Sequence, residues 1–62
     1  MMDVVAVNVR TNNVRVMARN LTPQNAEAYV KLAVMRRGVT EEFFCDVESG
    51  TYNDGDSWTV QP

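Results

Sequence analysis

From Val5 onward the chain alternates. Val5, Val7 and Val9 are interleaved with Ala6, Asn8 and Arg10, and beyond Thr11-Asn12-Asn13 the pattern resumes as Val14, Val16 and Ala18 against Arg15, Met17 and Arg19. A period of two is that of strands with one buried face. Asparagine tolerates the left-handed backbone that a tight reversal needs. Residues 5–19 therefore predict a β-hairpin. A two-residue shift in pairing would keep the valines on one face, so a turn at Thr11-Asn12 and one at Asn12-Asn13 both remain open.

The period then changes. Thr22 is a good N-cap, Pro23 suits the first helical position, Arg36 and Arg37 suit the last turn, and Gly38 is a stop signal. These signals predict a helix over 23–37. After it, Phe43, Cys45 and Val47 alternate with Phe44, Asp46 and Glu48, which predicts a third strand. Ser49-Gly50 breaks it, Asp54-Gly55 is a hairpin-turn signal, and a short last strand is expected over 57–60. The order is ββαββ, an α+β fold in which one helix crosses one face of an antiparallel sheet. The larger set of apolar alternates (Val5, Val7, Val9, Val14, Val16, Phe43, Cys45 and Val47) is expected to face the helix.

The helix is too apolar for that single task. At about 100° per residue, Ala26, Tyr29, Val30, Ala33 and Val34 form one stripe, and Ala28, Leu32 and Met35 form a second, well around the wheel. Either the C-terminal segment folds over the second stripe with Trp58, or the stripe is an outer interface. The reverse face of the sheet has its own surplus, with Met17 and Phe44 beside Ala6, rimmed by Arg10, Arg15 and Arg19. An apolar centre with arginine around it has the composition of an interface. Ala28, Leu32, Met35, Met17 and Phe44 are the candidate interface residues.

Length strengthens the case for a partner. Sixty-two residues make a single domain over 1–62, of a size that buries only about 60% of its unfolded surface. Such domains usually need a staple. Cys45 is the one cysteine and there is no histidine, so neither an internal disulfide nor a structural zinc site can form. A homodimer is the expected remedy.

Charge separates along the chain. Residues 1–40 carry all six basic residues and a net +4, and residues 41–62 carry six acids and no base. Arg10, Arg15, Arg19, Arg36 and Arg37 form a candidate anion-binding set, which makes a nucleic-acid module the rival reading. The sequence pI of 4.8 weighs against it. No enzyme is expected: histidine is missing, Cys45 falls on the predicted buried face, and the three glycines are too scattered for a phosphate loop. No cofactor or metal is expected; "NDGDS" lacks the remaining ligands of a calcium loop. Neither a targeting segment nor a membrane-length apolar run is seen, and a free thiol fits a reducing cytoplasm.

A hairpin, a helix opened by "NLTPQNAEAYV" and an acidic segment with "YNDGDSW" resemble, in architecture, the small accessory proteins of bacteriophages and prophages. Host RNA polymerase inhibitors and anti-CRISPR proteins are among them. The resemblance implies action by binding a protein or nucleoprotein and carries over no functional residue.

Overall fold

The computed structural model describes residues 1–37 and 41–59, with the backbone alone at Arg37. Its elements are β1 (Met2–Asn8), β2 (Val14–Leu21), α1 (Pro23–Arg37) and β3 (Glu42–Glu48). The sheet is antiparallel throughout, in the order β2-β1-β3. The α+β architecture and the helix bounds are those the sequence predicts. Thr22 caps the helix as expected: its Oγ1 accepts from the Asn25 amide at 3.2 Å, and its carbonyl accepts from the Ala26 amide at 2.9 Å.

Strand β1 is central, and every residue from Asp3 to Val7 is buried. An alternating strand can be buried at consecutive positions only if both faces of the sheet are covered, and here they are covered by different things. Val5, Val7 and Val14 form a core with Tyr52, and Val16, Cys45, Val47 and Trp58 pack against it. The valine face is therefore roofed by the C-terminal segment. Helix α1 lies on the other face, where Tyr29, Leu32 and Ala33 approach Met17 and Phe44.

This reverses the expected assignment of faces. Among the described residues the helix does not roof Val5, Val7 and Val14, and the C-terminal segment does not cover Leu32 and Met35. Phe43, expected under the helix, makes an edge-on contact with Trp58 at 5.5 Å between ring centroids. Val9, expected in the core, lies beyond β1 and is exposed. The physical reason is that the chain holds two covers of different size. Tyr52 and Trp58, stacked at 5.3 Å, bury large rings over the valines. The fully buried helix residue is the small Ala26, suited to close approach over the face that carries Ala6.

The C-terminal segment is also tied by its backbone. The Gly55 amide donates to the Val14 carbonyl at 2.9 Å, and the Val14 amide donates to the Asp56 carbonyl at 2.8 Å. The Val16 amide donates to Asp54 Oδ1 at 2.7 Å, so the start of β2 is not a bare edge. The expected fourth strand over 57–60 is reduced to one bridge, Asn13 with Ser57, and residue 60 lies outside the described residues. Gly38 lies outside them too.

Two turn expectations can be read directly. Asn12 has a φ of 64°, the left-handed conformation anticipated for the hairpin reversal, although the loop between the strands spans residues 9–13. Gly55 has a φ of 88° with no atom within 4 Å of an added Cβ, so a side chain there would meet conformational strain and no clash. Gly55→Val should cost about 1–2 kcal/mol and lower the melting temperature by roughly 4–8 °C or more. An unchanged thermal melt would show that the turn is not held.

Candidate functional site

Between α1 and its face of the sheet lies an open cleft of about 430 Å³, lined by Arg15, Met17, Tyr29, Leu32, Ala33, Arg36, Glu42 and Phe44. Two surpluses that the sequence shows separately meet here: Leu32 from the second helical stripe, and Met17 with Phe44 from the sheet. Ala33 contributes to the opening, since a methyl group at the middle of the helical wall fills little of the gap. The remaining stripe residues, Ala28 and Met35, are exposed and do not line the cleft; Met35 is 78% exposed and Leu32 51%. Helix α1 as a whole has almost no amphipathic bias, which is how it comes to serve the sheet, the cleft and solvent at once.

Among the described residues the expected arginines do not gather as one cluster: Arg15 and Arg36 line the cleft, and Arg10 and Arg19 do not. Register slips interrupt the β1–β2 ladder: Val5 pairs with Val16, Val4 with Ala18, and Met2 with Leu21. The first slip makes Met17 an extra residue, and the second falls at Arg19-Asn20, where Asn20 has a φ of 60°. Such bulges re-aim side chains. Arg19 is turned away from Arg15 toward the C-terminal segment, donating to Asp3 Oδ2 at 2.8 Å, the Tyr52 carbonyl at 3.1 Å and Asn53 Oδ1 at 3.2 Å. Arg15 spans β1 to reach both oxygens of Glu42 at 3.1 and 3.4 Å. Arg10 pairs with Glu41 at 3.2 Å. Each of the three thus holds a carboxylate. Arg36 lines the cleft, and among the described residues no carboxylate pairs with it. The side chain of Arg37 lies outside the described residues.

Asp3 is not among the sequence-predicted site residues, yet among the described residues its charge is the most constrained. It is almost fully buried. Its Oδ1 accepts from the Asn20 amide at 3.0 Å and the Ser49 hydroxyl at 2.8 Å. Its Oδ2 accepts from the Gly50 amide at 3.0 Å and from Arg19. Burial raises the carboxyl pKa, but the Gly50 and Asn20 amides, the Ser49 hydroxyl and the Arg19 charge together outweigh it. The pKa falls from the ordinary 3.8 to about 2. Asp3 thus clasps the start of β1 to the second bulge of β2 and to the turn after β3. The available signal was an acid on the same alternation as Val5 and Val7. In the cleft itself, Tyr29 and Ala33, assigned to the core stripe, and Glu42 are the lining residues that the sequence did not mark as site candidates. Cys45 is half-buried under the aromatic roof, and burial, then the neighbouring Asp46 charge, push its thiol pKa up.

Among the described residues no helix is long and apolar enough to cross a membrane. Comparison of the chain with protein-family models, curated proteins and solved structures found no match.

Proposed function

We propose that this chain is a small interaction protein without catalytic chemistry, acting by covering part of another protein with the cleft and the exposed helix beside it. The observation that carries this reading is the convergence of Met17, Leu32 and Phe44 in one open cleft with arginine at its rim. Mostly apolar lining with a few placed polar groups is the usual make-up of a recognition site, and aromatic, methionine and arginine side chains are those enriched where proteins meet. The intramolecular pairing of Arg10, Arg15 and Arg19 favours a protein over a nucleic acid, because cations already holding carboxylates release few counterions from a phosphate backbone. The likeness to small phage accessory proteins points the same way. In the test, the immobilised chain should retain a protein from a lysate of its source cells at about 0.5 M salt, a strength that dissolves phosphate-dominated binding. A chain carrying Phe44→Glu should not retain it. A gel shift with nucleic acid at physiological salt would instead favour the rival.

A homodimer is the second reading, favoured by the exposure of Ala28, Leu32 and Met35 along one side of α1. Sedimentation of the whole chain should then show a monomer–dimer equilibrium, with a melting temperature that rises with concentration. Leu32→Glu should shift that equilibrium at least tenfold toward monomer, since a charge facing an apolar seam is costly. A monomer at hundreds of micromolar, which would leave any dimer worth less than roughly 5 kcal/mol, would remove this reading and leave the first intact.

A further inference from the structure

Resting on the protein-binding reading, we infer that the cleft takes an acidic amphipathic peptide segment of a partner protein, one apolar side chain on the Met17–Leu32–Phe44 floor and a neighbouring carboxylate on Arg36. Charge complementarity carries the choice. Among the described residues the cleft lining holds two cations and one anion. Arg15 and Glu42 answer each other across the sheet at 3.1 Å, and among the described residues Arg36 is the cleft cation left over. A guanidinium at the rim of an apolar hollow is matched by a carboxylate, which can take two parallel N–H donors in one plane. The hollow requires an apolar group beside that carboxylate, and about 430 Å³ is room for one large side chain with its backbone. A phosphate backbone does not fit the same description. It offers no apolar group to the floor, and the one uncommitted arginine among the described cleft residues is far short of the cluster it needs.

The experiment selects peptides from a random display library against the whole chain and maps the winners by methyl and aromatic NMR. Enriched sequences should share an aromatic residue or leucine with Asp or Glu within four positions (roughly one helical turn). The best peptide should perturb Met17, Leu32 and Phe44 while leaving Tyr52 and Trp58 unmoved. Arg36→Glu, at an exposed position that leaves the fold intact by circular dichroism, should weaken that peptide at least tenfold, and Arg36→Lys less. Lys31→Glu should leave it unchanged, since Lys31 pairs with Glu27 away from the cleft lining. Apolar peptides without an acid that still occupy the cleft would overturn the inference and leave the protein-binding reading standing. Basic winners, or acidic ones indifferent to Arg36→Glu, would do the same. Failure of every peptide to move the cleft signals, or occupancy of the cleft by a second copy of the chain alone, would overturn both.

Discussion

Asp3→Asn should leave the chain largely unfolded at room temperature. The carboxylate accepts four donors while nearly excluded from water. An amide in its place presents N–H to at least one pair of these donors, either Gly50 with Arg19 or Asn20 with Ser49. Breaking a buried charged network by removing one partner costs about 3–5 kcal/mol, and a domain of this size has only about 3–5 kcal/mol to lose. The three segments clasped by Asp3 are far apart in sequence, so nothing local compensates. Far-ultraviolet circular dichroism and urea melts followed by Trp58 fluorescence would read the loss. A midpoint within error of the unchanged chain would contradict the clasp. Arg19→Gln should be milder, because Arg19 is partly exposed and the three remaining donors still hold Asp3.

The same network sets an acid limit. The folded pKa of about 2 lies below the ordinary 3.8, so the Asp3 contribution is fully present above about pH 4 and drains away as pH falls toward the folded value. It amounts to roughly 2 kcal/mol at neutral pH. Urea midpoints should be flat from neutrality down to about pH 4.5 and then fall toward pH 2. A midpoint that rises on acidification would mean the carboxyl is held neutral.

Trp58→Ala should be nearly as damaging. Trp58 stacks on Tyr52, meets Phe43 edge-on and helps roof Val5, Val7 and Val14. Removing an aromatic of this kind costs about 3–5 kcal/mol, and its partial burial puts the expectation near 3. The Trp58 amide donates to the Asn12 carbonyl and the Trp58 carbonyl accepts from Asn12 Nδ2, and neither bond depends on the ring, so the segment stays tethered while the valines lose their cover. Near-ultraviolet dichroism from the aromatic stack should vanish, and a hydrophobic dye should bind. Trp58→Phe should recover most of the stability. Were Trp58→Ala to melt like the parent, the valine face would have to be covered by something else.

Legibility differed between the levels of the structure. Local rules were sufficient for the hairpin valines, the Thr22 cap, the helix from Pro23 to Arg37 and the positive φ at Asn12 and Gly55, because each depends on neighbours within a few residues. The surplus of the helix and that of the reverse sheet face were also visible, since periodicity reports which positions share a side. It was not visible that Leu32, Met17 and Phe44 would line one cleft. That required knowing which face the helix takes.

The sequence by itself determined three strands and a helix, their order, and the excess of apolar positions over what one helix and one sheet face can bury; the last strand it also predicted is a single bridge. Only the tertiary structure decided how the two covers were shared out, with Tyr52 and Trp58 over the valines and α1 over Ala6. Alternation says that residues lie on the same side but never what lies opposite them. Only the tertiary structure, likewise, separated Arg19 from Arg15 and bound it to Asp3. A bulge shifts the register by one residue, and a one-residue shift sends a side chain to the other face. No pattern of apolar and polar positions records it, because the pairing strand that forces the slip lies elsewhere in the chain.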